Sequence, residues 1–209
     1  TETACSNLEK EGFDNFNIKI VQNGDVMQDA AMYYAKYSAS KSNIIQVLGA
    51  KSYILGTIHR AENTDNERRL RSIVSSLNEI HKTNPILIPL HPRTKLKIKE
   101  FDLKLDVNII DPVGYFDMME LLKKCQMVLT DSGGLQKEAY FFKKNCVTMR
   151  NETEWIELIE NKVNVIVGSD KDKIINGVNL MLNKKSDFTI DLYGNGNSCD
   201  IIAKEISNK

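Results

Sequence analysis

Met127-Val128-Leu129-Thr130-Asp131-Ser132-Gly133-Gly134-Leu135-Gln136-Lys137-Glu138-Ala139 is the stretch whose reading decides the fold. Its first four residues form a short apolar, β-favouring run that ends at turn-forming residues, the pattern of a buried parallel strand. Asp131 to Gly134 then make a tight exit, and a helix opens over 135–142. The two glycines carry no Cβ, so a ligand can come close to the backbone. A helix start offers unpaired N–H groups and a positive dipole end, and both favour a phosphate. One such contact is worth about 0.3–1 kcal/mol when exposed and up to about 2 when partly buried. The same four residues read equally well as a tight turn with a serine cap and no ligand.

Outward from this stretch the rhythm repeats. Short apolar runs lie at 53–58, 86–90, 107–110, 146–149 and 163–167, each fitting a buried parallel strand. Helical patterns separate them. Leu70, Ile73, Val74, Leu77 and Ile80 recur at three and four and mark one apolar face. Thr64 and Glu67 have the spacing of a capping box at that helix's start. Met118, Leu121, Leu122 and Cys125 mark a second helix, and Ile174, Ile175, Val178 and Met181 a third. Strand and helix alternating in this way predict right-handed crossovers. The expected fold is therefore α/β: a Rossmann-like doubly wound parallel sheet with helices on both faces. Ligands on such sheets sit at the carboxyl ends of the strands.

The first fifty residues differ. A helix is expected over 1–12, a short strand over 18–21, a helix over 25–37 and a polar connector over 38–43. The tail holds the turn-rich Gly194-Asn195-Gly196-Asn197 and ends in an amphipathic helix through Ile201, Ile202 and Ile206. The alternating pattern is expected to form one doubly wound domain over about 53–183, with the tail beginning at 187.

Lys plus Arg number 28 and Asp plus Glu 28, so the chain lacks the basic excess usual for nucleic-acid binding. No apolar run approaches a membrane span. Cys5, Cys125, Cys146 and Cys199 form no CxxC pair; Cys125 and Cys146 read as buried thiols, and a reducing, cytoplasmic compartment is expected. No dinucleotide fingerprint, Walker loop or metal-ligand cluster is present, so neither cofactor nor metal is expected.

The strand ends carry the chemistry-bearing residues. His59, Arg60 and Glu62 follow the run at 53–58, and His91 and Arg93 the run at 86–90. An imidazole and a guanidinium suit a diphosphate, the latter because its planar fork binds two oxygens. A pair of ordinary loop residues accounts for His91 and Arg93 as well. Glu138, one turn into the helix after the glycines, reaches a ribose diol or is simply a solvated helix charge. His81, on a helix exit, reads as solvated.

Together the strings TIHRAEN (57–63), PLHPRT (89–94), DPVGYFDMMELLKKCQMVLTDSGGLQKEA (111–139) and the Thr153-Glu154 pair resemble the non-hydrolysing UDP-N-acetylglucosamine 2-epimerases, as does the opening TETACSNLEKEG. The resemblance runs over nearly the whole chain. It implies one lobe of a two-lobe, GT-B-like enzyme that takes UDP and a UDP-amino sugar, a homodimer in the full-length form. It makes 1–44 the end of the first lobe and its connecting segment, 45–186 the UDP-binding lobe and 187–209 the C-terminal tail helix. The charge balance and the lack of a long apolar run add no nucleic acid and no membrane as partners. The resemblance puts Ser132, Gly133 and Gly134 at the phosphates and Glu138 at the ribose. His59 falls at the departing diphosphate, with Arg60, Glu62, His91 and Arg93 along the cleft.

The implied reaction interconverts UDP-GlcNAc and UDP-ManNAc by elimination and re-addition of UDP through a 2-acetamidoglucal. The acidic residues working at C2 belong to the family's first lobe, so these 209 residues are expected to be inactive alone. Trp155 stands where the family has a basic residue, and Val113 where many members have a polar one. The Trp155 variant and TIHRAEN form are similar to relatives acting on UDP-2,3-diacetamido-2,3-dideoxyglucuronate. A GT-B glycosyltransferase lobe and a non-catalytic UDP-sugar binding module are the remaining alternatives.

Overall fold

A computed structural model describes residues 1–49 and 52–207. In chain order the elements are α1 (Glu2–Lys10), a 3-10 turn (Phe13–Asn15), α2 (Val26–Lys41), α3 (Ile44–Leu48), β1 (Ile54–Thr57), α4 (Ala61–Thr64), α5 (Glu67–His81), β2 (Ile86–Pro89) and α6 (Pro92–Glu100). Then come β3 (Asn108–Ile110), α7 (Tyr115–Lys124), β4 (Met127–Thr130), α8 (Gly133–Phe141), β5 (Cys146–Thr148), α9 (Ile156–Glu160), β6 (Asn164–Ile166), α10 (Lys171–Leu182) and α11 (Ser198–Ser207).

The six strands form one parallel sheet in the order β3-β2-β1-β4-β5-β6. This is the doubly wound order expected, and it reverses direction between β1 and β4. Strand alternation divides the core: Ile54 and Ile86 pack with α5 and α10, whereas Leu55 and Leu87 pack with residues of α7 and α8. The central strands β1 and β4 are buried throughout. β3 is an edge strand with Ile109 partly exposed, because a single neighbour, β2, covers it. Among the described residues no helix is long and apolar enough to cross a membrane.

Four local expectations are corrected. The start of α5 is capped by Asn66, whose side chain accepts from the Arg69 amide at 3.1 Å. Thr64 instead ends α4, its hydroxyl donating to the Arg60 carbonyl at 3.1 Å, so no Thr64–Glu67 capping box forms. Residues 18–21 join no sheet, because no described strand lies beside them to complete a ladder.

The expected connector at 38–43 is largely the last turn of α2. Ser38 is fully buried there, donating to Glu120 at 2.6 Å and accepting from Lys123 at 2.5 Å. His81 is half-buried, and its Nδ1 accepts from the Ile86 amide at 2.9 Å, tying the helix exit to β2. Residues 50, 51, 208 and 209, part of the expected lobe and tail, lie outside the described residues.

α2 lies along α7 and α8, so the segment before the sheet packs against its outer helices. Gly24 permits the approach to α2: its φ of +84° suits glycine, and a Cβ there would stand 2.9 Å from the Tyr193 carbonyl. Lys137 of α8 reaches back to Asp25, the cap of α2, at 2.5 Å, with both side chains nearly buried.

Candidate functional site

The reversal between β1 and β4 leaves a crevice at their carboxyl ends, and five of the sequence-predicted residues line it. A cleft of about 290 Å³ is lined by His59, His91, Ser132, Gly134 and Glu138, with an apolar side formed by Pro112, Val113, Met118 and Leu135. A larger hollow of about 630 Å³ lies between α1, α9 and the turn before α11. Its walls carry Glu2, Glu157, Glu160 and Asp191 against one lysine, Lys10, and that charge would repel a diphosphate.

The start of α8 is open. Ser132 caps it by accepting from the Leu135 amide at a long 3.4 Å, while the Ser132 amide donates to Thr130 at 2.9 Å. The amides of Gly133 and Gly134 find no protein acceptor among the described residues. Two unpaired donors and a helix dipole therefore point out of the fold. Glu138 sits one turn further on, half-buried, with neither a hydrogen bond nor an ion pair among the described residues. Burial raises its carboxyl above the usual range, and the neighbouring Lys137 charge only partly offsets this. Such a carboxylate is under-satisfied until hydroxyl donors reach it.

His59 stands across from that helix start. Its ring Nδ1 lies 3.5 Å from Oδ1 of Asp131, a carboxylate with no exposed surface. Asp131 also accepts the backbone N–H of His59 at 3.1 and 3.2 Å, that of Arg60 at 3.1 Å, and Nδ2 of Asn63 at 3.1 Å. His91 caps α6, its Nδ1 accepting from the Arg93 amide at 3.2 Å. That bond leaves Nε2 as the proton-bearing nitrogen of the neutral ring.

The other predicted residues lie outside this cleft. The Arg93 guanidinium is paired with Asp65, and Glu62 is paired with Arg69 at 2.8 Å. Gly133 turns toward a neighbouring cluster: a Cβ there would lie 3.6 Å from Arg60, 3.7 Å from Glu154 and 3.9 Å from Arg150. Arg150 is nearly buried and forks onto Glu154 at 2.7 and 2.9 Å. The Arg150 hydrogen bonds hold the Glu154 carboxyl down to about 2. Arg60 lies 3.6 Å from the same carboxylate.

Sequence reasoning left Asp131, Asn63, Arg150 and Glu154 without roles. Each stands at or just after a strand end, the one signal available. Which strand ends are neighbours was the missing fact. Trp155, which stands where the family has a basic residue, donates its indole N–H to the Gly133 carbonyl at 2.8 Å, bracing the turn into α8. The Lys137 ammonium lies 4.2 Å from the centre of the indole's ring system.

Sheet order, open helix start and strand-end crevice define a Rossmann-like doubly wound lobe. The family model described as UDP-N-acetylglucosamine 2-epimerase matches residues 1–207, and the chain belongs to that family. It is similar to a UDP-2,3-diacetamido-2,3-dideoxy-D-glucuronate 2-epimerase of Pseudomonas aeruginosa, 47% identical over 99% of this chain and 58% of the relative. A UDP-N-acetylglucosamine 2-epimerase of Methanocaldococcus jannaschii is 39% identical over 98% of this chain and 58% of its own length. A crystal structure of a UDP-GlcNAc 2-epimerase from that organism, in complex with UDP-GlcNAc and UDP, superposes at TM-score 0.89 with 37% identity. It covers all of this chain and 60% of the solved one. The chain thus spans a little under three-fifths of these curated relatives.

Proposed function

We propose that the protein containing this chain is an isomerase that inverts C2 of a UDP-linked N-acetylamino sugar, and that these residues hold the UDP. One observation carries the reading: the unpaired Gly133 and Gly134 amides, the His59 imidazole and the unpartnered Glu138 carboxylate meet around the turn at one strand-end crevice. The amides and Ser132 take the diphosphate. Glu138 accepts the ribose hydroxyls, and Pro112, Val113 and Met118 supply an apolar seat for the uracil. His59 supports the diphosphate as it leaves C1, while a base removes the C2 proton to give the 2-acetamidoglucal. Re-addition with protonation on the other face inverts C2. Arg60 and His91 stand along the approach to the sugar, with Glu62 and Arg93 further out in ion pairs with Arg69 and Asp65.

UDP-GlcNAc and UDP-ManNAc are the leading substrate pair. A second reading, UDP-2,3-diacetamido-2,3-dideoxyglucuronate, is favoured by the 47% identity to an enzyme named for that sugar. Residues 1–44 are proposed as the end of a first lobe with its connector, 45–186 as the UDP lobe, and 187–209 as the tail. A cytoplasmic homodimer is proposed for the whole protein.

NMR of the full-length protein in deuterated water decides among these. C2 exchange and inversion of one sugar identifies the substrate. Sugar transfer to an acceptor without exchange would instead mark a glycosyltransferase, and binding without chemistry a binding module. By calorimetry the 209 residues alone are expected to bind UDP and to catalyse no exchange.

A further inference from the structure

We propose that Asp131 is a positioning residue that fixes the His59 ring so that a doubly protonated imidazole presents Nε2–H to the departing diphosphate. This rests on the functional reading above, in which His59 meets the diphosphate.

The geometry is specific. β1 and β4 are neighbours in register, with Thr57 paired to Thr130, so the residues that follow them face each other. The Asp131 carboxylate lies wholly inside the fold at this junction. One oxygen, Oδ2, takes the Arg60 amide and Asn63 Nδ2, each at 3.1 Å. The other, Oδ1, takes the His59 amide at 3.1 Å and keeps a lone pair toward His59 Nδ1, 3.5 Å away. The backbone bonds fix where the residue begins, and the ring contact fixes how it is turned.

Asn63 holds the carboxylate from behind. Its amide nitrogen also donates to the Met149 carbonyl at 2.9 Å, and its oxygen takes two bonds from Arg69 at 2.9 and 3.0 Å. Asp131 therefore cannot swing away from His59 without unpairing buried polar groups.

Among the described residues Asp131 has no lysine or arginine ion-pair partner; the His59 imidazole is the one basic side chain within salt-bridge distance. The carboxylate faces Nδ1, so a proton on that nitrogen points at an acceptor already fixed by the neighbouring amides. With Nδ1–H held by Asp131, only the doubly protonated ring retains a donor at Nε2. The other charged or titratable groups around the ring are His91 from the β2 end, Glu138 from α8 and Arg60 beside it in sequence. The arriving diphosphate adds negative charge on the Nε2 side. In the elimination, the C1–O bond breaks and its electron pair passes to the diphosphate oxygen. The C2 proton passes to a base, the C1–C2 double bond forms, and Nε2–H hydrogen-bonds the oxygen that gained charge.

The test uses the full-length protein with ring-labelled ¹⁵N histidine and UDP as the probe. The wild-type UDP complex is expected to show both His59 nitrogens protonated near neutral pH, with the signal assigned through H59N. D131N is expected to lose the Nδ1 proton and to lower kcat about a hundredfold or more while KM shifts by less than about threefold. A bare Nδ1 in the wild-type complex overturns the proposal without any variant having to fold. So does a folded D131N whose ring state and kcat match wild type. If H59N itself inverts C2 at the wild-type rate, the functional reading fails instead.

Discussion

Glu138 is a half-buried carboxyl at the cleft with no protein donor among the described residues. Its carboxyl is raised by burial, so ionising it in the cleft costs free energy. A raised folded value means that the penalty is absent below the unfolded carboxyl range and sets in as pH rises through it. E138Q is therefore expected to be as stable as wild type at pH 4 and slightly more stable at pH 7, which denaturant titration at the two pH values measures. The same variant is expected to bind UDP about tenfold more weakly by calorimetry, since hydrogen bonds to a charged acceptor contribute roughly 1.5–3 kcal/mol.

Glu154 behaves oppositely. The Arg150 fork depresses it, so its contribution is fully present above the usual carboxyl range and is lost as pH falls toward about 2. Its side chain is half exposed, and solvent screening limits the effect to roughly 1 kcal/mol. Wild type is expected to lose that margin over E154Q between pH 5 and pH 2.5. Equal acid sensitivity of the two would show that the fork is energetically idle.

At the scale of elements, α8 begins at the strand-end crevice and is braced from outside. Lys137 joins α8 to the cap of α2, lies against Trp155, and Trp155 holds the Gly133 carbonyl. Removing one member of a nearly buried ion pair strands the other charge, which typically costs about 3–5 kcal/mol. K137M is expected to destabilise by about 2–4 kcal/mol and the double variant D25N/K137M by clearly less. Additive losses in this double-mutant cycle would show that the two residues act separately.

The sequence predicted these helices well where the apolar face was regular, as in α5 and α10. It failed where partners decided the outcome. Ser38 looks like connector chemistry, yet Glu120 and Lys123 of α7 satisfy it and let α2 run on to Lys41. Thr64 and Glu67 have capping-box spacing, yet α4 absorbs Thr64 first.

Across the whole molecule, burial sorts the four cysteines. The thiols of Cys125 and Cys146 lie in the sheet's core and are pushed up to about 12 by desolvation, whereas Cys199 is exposed and Cys5 half-exposed. Thiol titration of the folded chain is expected to modify Cys199 first, its rate slowed because the Asp29 contact raises its value. Cys125 and Cys146 are expected to react only on unfolding. Fast labelling of either in native buffer, read by peptide mass, would contradict the packing described for the core.

The sequence alone determined the alternation of strands and helices, the glycine turn that opens α8, and the set of residues standing at strand ends. Those follow from local periodicity and from where a chain lacks side chains. Only the tertiary structure decided which strand ends are neighbours. β1 and β4 are separated by some seventy residues, and nothing local says that they pair. Their adjacency at the reversal of strand order gathered His59 and Asp131 beside the open helix start. The same geometry turned Glu62 and Arg93 aside into ion pairs of their own, because a side chain's partner is set by distance in space and not by spacing along the chain.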